Sequence, residues 1–256
     1  MANPAQHGNP GWVSYENTLG DSPDIEIFCG GVNSKTSIGA ALWREGHLLH
    51  FGFEQSPGEM NDIGRALLVN AIAYIARFTH DQAIACARSP FAGAGARARS
   101  SLAGWLANEA YPLDYFAGAI APELLHGVSK TRAAYREWFT QNRAYLHPGD
   151  GSQLVLDQQA KQLAIAWDQI EMFERAIAIL RAGGEDARLA GAVLARYAPE
   201  GPGSAAGADA WQAWFDANRP YLFYSEWCGY RWYIDPLAKQ RRVETSGLRG
   251  PARADR

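Results

Sequence analysis

The sequence predicts an α+β fold, mainly α: a small N-terminal β-hairpin plus helix in residues 1–80, a linker over 81–96, and two duplicated helical repeat units of about 77 residues within 97–242. A disordered basic tail is expected at 243–256. Three observations lead there. Apolar and polar residues alternate near the start, with the period of a strand. A stretch rich in Ala, Gly and Arg, broken at Ser89-Pro90, then separates this part from the rest. Beyond it the chain repeats itself. Ala121-Pro-Glu recurs at Ala198, "YREWFTQNRAYL" from Tyr135 recurs as "WQAWFDANRPYL" from Trp211, and "LDQQAKQ" from Leu156 recurs as "IDPLAKQ" from Ile234, at offsets of 77, 76 and 78. Three matches in one order at nearly constant offset imply a duplication, the way repeat architectures bury a shared core.

In "DIEIFC", Ile25, Ile27 and Cys29 alternate with Glu26 and Phe28, and Gly30-Gly31 is expected to end that strand. "AALWREGHLLHFGF" reads as a hairpin turning at Glu45-Gly46, glycine supplying the positive φ of a tight turn. This register pairs Arg44 with His47 and Leu42 with Leu49. It puts Leu42, Arg44, His47, Leu49 and Phe51 on one face, and Trp43, Leu48, His50 and Glu54 on the other. His47 and His50 fall on opposite faces, so they are not a metal pair. His50 then reads as a hydrogen-bonded histidine, or as a catalytic participant if the two parts of the chain meet. Ser56-Pro57-Gly58-Glu59 has the form of a capping box. Ile63, Leu67, Ala71, Tyr74 and Phe78 continue as an amphipathic stripe, with Asn70 on it expected to bond to a neighbouring backbone segment.

The stretch "LLHFGFEQSPGEMNDIGRALLVNAIAYI" resembles the closing strand and final helix of class I glutamine amidotransferase-like domains. The resemblance implies an α/β element without that chemistry. Glu54-Gln55-Ser56 stands where those enzymes carry His-Pro-Glu, and no helix-like segment follows Cys29-Gly30-Gly31 to form a nucleophile elbow.

Within each repeat the pattern is a helix pair, a Pro/Gly loop, the aromatic helix, a short extended piece and an Asp-capped helix. Tyr135, Trp138 and Phe139, like Trp211, Trp214 and Phe215, sit at i, i+3, i+4 and form a buried ridge. Asn142 and Asn218 fall where the helix should stop in a left-handed C-cap, and Arg143 and Arg219 can then reach its last carbonyls. Asp157 and Asp235 stand at N-cap spacing. A long helix is expected over about 158–181, from the stripe Leu163, Trp167, Ile170, Phe173, Ile177 and Leu180. The units resemble HEAT-type helix pairs, and the Trp-Phe-x-x-Asn-Arg phrase resembles repeats in bacterial proteins of unassigned function.

The formal charge is −3, with no concentration of Lys and Arg outside the tail, so no nucleic-acid partner is expected. No apolar run approaches the roughly 18 residues of a membrane span, so no membrane partner is expected either. Cys29, Cys86 and Cys228 show neither disulfide nor metal spacing, which suits a reducing cytoplasm; no cofactor and no metal are expected. The short "MANPAQHGNPGW" lead fits a native start or the remainder of a longer, secreted parent.

The two copies part after the aromatic phrase. The first continues as the polar "HPGDGSQLVLD", the second as "FYSEWCGYRWYID". The second is either a hairpin turning at Cys228-Gly229 and packed by cross-strand aromatic pairs, or the wall of a small-ligand pocket. On the pocket reading Tyr224, Trp227, Tyr230 and Trp232 bind ligand. Glu226 acts as a general base raised by desolvation, Arg231 holds an anion and His50 takes part. That makes the chain a hydrolase of a small ester, lactone or amide. The alternative is a non-catalytic helical-repeat module that binds a protein or peptide.

Overall fold

The computed structural model describes residues 11–15, 22–33, 36–84, 99–149, 153–226 and 228–245. Cys86, Trp227, most of the expected linker and the tail from 246 lie outside the described residues. The fold is mixed α/β, with a small antiparallel sheet first and helices after it. The chain divides into two compact units, Met1–Ala85 and Cys86–Arg256.

The first unit is more than a hairpin and a helix. Strands β1 (Ser14–Tyr15), β2 (Ile25–Asn33), β3 (Thr36–Glu45) and β4 (Leu48–Phe51) form a four-stranded antiparallel sheet around β3. Gly30-Gly31 does not end β2, which runs through both glycines with register shifts on either side. The reason is a close approach: a Cβ on Gly31 would lie 2.2 Å from the Val13 side chain, so glycine keeps the strand open to its neighbour. The hairpin loop is Gly46-His47, one residue later than expected, because Glu45 pairs with Leu48. Gly46 takes φ +55°, and a Cβ there would meet the Ala83 nitrogen at 2.5 Å. Parity is unchanged, so Leu42 still faces with Phe51 and Trp43 with His50.

Helix α1 (Asp62–Ile75) starts later than the capping box. Ser56 and Glu59 do bond to each other, Oγ to Oε2 at 2.7 Å, but they close an isolated turn, and Asn61 caps the helix by accepting from Gly64 N–H at 2.8 Å. Ile63 is 78% exposed in the first turn, and Asn70, two turns on along the same outer edge, is exposed too. Of the expected stripe, Ala71 is buried, and Tyr74 and Phe78 meet side chains of the sheet. The Tyr74 hydroxyl donates to Glu26 at 2.7 Å, and the buried Arg44 pairs with Glu26 at 2.8 Å while lying 3.8 Å from the Phe78 ring centroid. Ile84 closes this unit through its N–H on Asp24.

The second unit runs α2 (Arg99–Ala107), α3 (Leu113–Ala117), α4 (Arg132–Asn142), β5 (Leu146–Pro148), β6 (Leu154–Leu156), α5 (Gln158–Gln162), α6 (Glu171–Ala182) and α7 (Gly184–Tyr197). It continues with α8 (Ala208–Asn218), β7 (Leu222–Ser225), β8 (Arg231–Ile234) and α9 (Pro236–Arg241). One contiguous core extends from Leu102 to Trp232. The aromatic ridges work as expected: Phe116 packs on Tyr135 and Phe139, and Phe173 stacks on Phe215 with centroids 4.9 Å apart.

The segment α4–β5–β6–α5 and the segment α8–β7–β8–α9 share a set of contacts. Each aromatic helix passes into a one-turn 3-10 segment and then an antiparallel hairpin. Asn142 and Asn218 are not left-handed caps; their φ values are −115° and −119°. Each instead donates from Nδ2 to the carbonyl four residues back, on Trp138 or Trp214, at 2.7 Å. Each also accepts from a lysine, Lys161 at 2.8 Å and Lys239 at 2.6 Å. The Nδ2 bond satisfies a carbonyl of the last turn, so no left-handed residue is needed. Arg219 accordingly turns outward to Glu174 at 2.9 Å rather than to the helix end. Asp157 and Asp235 cap α5 and α9 as expected.

The long helix expected over 158–181 is broken. Ala164 has φ +51°, its N–H bonds to Lys161, and the Ile165 N–H bonds back to Ala160 at 2.8 Å. This is a Schellman stop with alanine in the left-handed position, where glycine is usual. It turns the chain so that Trp167, with no exposed surface, lies in the core between α5 and α6. At the C-terminal end, Thr245 is buried and its N–H bonds to Pro220, so ordered structure extends beyond the expected limit of 242.

Candidate functional site

The second hairpin is the segment that the sequence singled out. Strands β7 and β8 pair Ser225 with Arg231, which leaves Glu226–Tyr230 as a five-residue loop. The Cys228 N–H donates to the Ser225 hydroxyl at 3.0 Å, and Gly229 and Tyr230 both take positive φ, +87° and +60°. A non-glycine residue in that region costs roughly 1 kcal/mol or more. Here the strain serves to drive the Tyr230 ring into the core, where it has no exposed surface.

The rings and charges around that loop enclose one side chain, Arg99, 3% exposed at the first position of α2. Its Nε donates to Glu226 Oε1 at 2.6 Å, Nη2 reaches Asp168 at 3.0 Å, and Nη1 donates to the Arg143 carbonyl at 2.9 Å. Tyr224 lies within 3.4 Å of Nη2. The guanidinium carbon stands 4.6 Å from the Trp167 ring centroid and 5.4 Å from that of Tyr230. Glu226 also accepts the Arg99 backbone N–H on Oε2 at 2.8 Å, one of the donors a helix start leaves unsatisfied. One carboxylate thus neutralises the arginine and finishes the helix. Burial opposes the charge of Arg99, but Tyr224, Glu226 and Asp168 more than offset it and hold its pKa above the ordinary value. Burial, with Glu226 and Tyr230 beside it, pushes the Tyr224 phenol well up.

Trp167 links this cage to a second cluster. Its ring stacks on Tyr197 at 4.6 Å and 10°, its carbonyl accepts from Trp232 Nε1 at 2.7 Å, and its own N–H meets no acceptor among the described residues. Tyr197 donates to Asp157 at 2.7 Å, Arg196 pairs with the same carboxylate, and His147 meets the Tyr197 ring edge-on at 6.2 Å. Burial pushes Asp157 up, but the Ala160 N–H, the Tyr197 hydroxyl and Arg196 outweigh it, and the net pKa is lowered. Burial likewise pulls His147 down, only partly countered by Asp157.

Of the expected site residues, Glu226, Tyr224 and Tyr230 meet around Arg99, and Trp232 joins them through Trp167. Arg231 is half-buried at the same end of the hairpin, opposite Ser225. Trp227 lies outside the described residues. His50 belongs to the first unit, where it stacks on Trp43 at 5.4 Å and donates from Nε2 to the Trp12 carbonyl at 3.3 Å. Arg99 and Asp168 carry no sequence signal: one ends a run that reads as linker, the other sits inside what reads as an unbroken helix. Among the described residues no three His, Cys, Asp or Glu side chains converge in a way that would hold a metal ion, and no helix is long and apolar enough to cross a membrane. Comparison with family models, with curated proteins and with solved structures returns no match.

Proposed function

We propose that the protein is a non-catalytic helical-repeat module that binds a protein or peptide partner, rather than the small-ester hydrolase suggested by its aromatic segment. The observation that carries this reading is the engagement of Glu226. Both of its oxygens accept from Arg99, one from the guanidinium and one from the helix N–H. A general base needs a lone pair aimed at a water or a substrate proton, and a carboxylate held in this way is a structural counter-ion. The rings of Tyr224, Tyr230 and Trp232 are packed against the core in the same way.

The matched hydrogen bonds of the two aromatic segments fit a duplicated unit of about 77 residues, HEAT-like in its helix pairs with an added hairpin. Stacked repeats of this kind commonly present binding surfaces. The cytoplasm is the proposed compartment, resting on three widely spaced cysteines.

The test is a panel of chromogenic esters, lactones and amides assayed with wild type and Glu226→Gln. The expected result is no turnover above buffer with either, together with a lowered melting temperature for the variant. Turnover by wild type would overturn the proposal, and its abolition by Glu226→Gln without loss of folding would assign it to Glu226.

A further inference from the structure

A groove of about 270 Å³ opens on the second unit, lined by Trp105, Asp114, Tyr115 and Gly118. Trp105, near the end of α2, and Tyr115, in α3, meet edge to face, with centroids 5.8 Å apart and planes at 69°. Tyr111 packs against Tyr115, with centroids 6.3 Å apart. Tyr111 and Tyr115 are 40% and 51% exposed, a large apolar area to leave in water. Gly118, whose N–H bonds to the Asp114 carbonyl at 2.8 Å, ends the helix at the groove edge.

The loop between the two helices is held in place. Arg132 donates to the carbonyls of Trp105 at 2.6 Å and Tyr111 at 2.7 Å, and Arg136 to that of Leu106 at 2.8 Å. The groove is therefore formed before any ligand arrives, which lowers the ordering cost of binding.

We propose that this groove binds a free quaternary ammonium ion of the choline type. Ring faces carry negative quadrupole charge, and two aromatic planes set at an angle beside a carboxylate suit a cation. Asp114 repels an anion. A bare ammonium ion is strongly hydrated and needs several oxygen acceptors, whereas a methylated one sheds its water readily against rings. The volume is below the roughly 300–1,000 Å³ of drug-sized sites, which limits the ligand to a head group. This inference is independent of the scaffold reading, because the groove shares no residue with the Arg99 cage.

The experiment is a titration of the full chain with choline, followed by saturation-transfer NMR on the methyl protons. Its uncharged isostere 3,3-dimethylbutan-1-ol serves as the second probe. The expected result is saturable choline binding, weakened about tenfold in Asp114→Asn and in Tyr115→Leu with melting temperatures unchanged, and no saturable binding of the alcohol. Equal binding of the alcohol would reduce the groove to a greasy patch and overturn the proposal. So would capture of phosphatidylcholine vesicles or a trimethyl-lysine peptide without binding of free choline. No saturable binding of choline also overturns it, and leaves the hydrolysis result of the scaffold test untouched.

Discussion

The two aromatic segments of the second unit hold their backbones by the same bonds and fill the space between them differently. In both, an asparagine ties the end of the aromatic helix to a lysine on the next helix, and an aspartate caps that helix. In both, the aspartate N–H bonds back to the tyrosine before the hairpin, Tyr145 at 2.8 Å and Tyr221 at 2.7 Å. Between those fixed points the first hairpin carries His147, Leu154 and Val155, and the second Phe223, Trp232 and Tyr233. The loop of the second reaches in to supply Glu226 to Arg99. Geometry is set by a few short polar side chains, and the rings between them are free to differ.

The comparison is broken most severely at Arg99. Arg99→Met leaves Glu226 and Asp168 buried without their cation, and about 3–5 kcal/mol of stability should be lost, read from urea unfolding. The corresponding change at the cation that pairs with the first segment, Arg196→Met in α7, should cost much less, because Asp157 keeps the Tyr197 hydroxyl and the Ala160 N–H. Equal losses would mean that the two clusters do the same work.

A smaller effect tests the shared part. Asn142→Ala and Asn218→Ala each remove a buried side chain that joins two helices, at a cost of roughly 1–2 kcal/mol. The two values should agree within about 0.5 kcal/mol if the segments are equivalent; a larger gap would sink the equivalence.

The smallest effect is a pH slope confined to the first segment. The folded pKa of His147 is lowered, so the unfolded chain takes up that proton more readily. The stability it contributes is present above the unfolded value of about 6.5 and is lost as pH falls below it toward the folded value. Urea midpoints of His147→Gln, compared with wild type, should fall less between neutral and mildly acidic pH.

The asymmetry was partly legible in the sequence. The offset matches mark the aromatic ridges and the Asp caps, and the divergent stretch marks a hairpin at Cys228-Gly229, because each depends on neighbours within one turn or one strand pair. Arg99 was not legible. Its partners Arg143, Asp168 and Glu226 are far along the chain, and the alanines and glycines before it look like a connector. The break at Ala164 escaped for a related reason: a left-handed alanine has no signature that separates it from a helical one. Seventy-seven positions beyond Asp114, Tyr115 and Gly118 stand Gly191, Ala192 and Ala195, so the residue types that line the groove do not recur at that offset.

The bond between Arg99 and Glu226 spans 127 residues, and this sets a schedule for synthesis. At 5–20 residues per second, roughly 6–25 s pass between the making of the first partner and the second. Through that interval the first turn of α2 lacks its acceptor and its counter-ion. The second unit therefore cannot close around Arg99 until its last hairpin has left the ribosome, however early its other helices form.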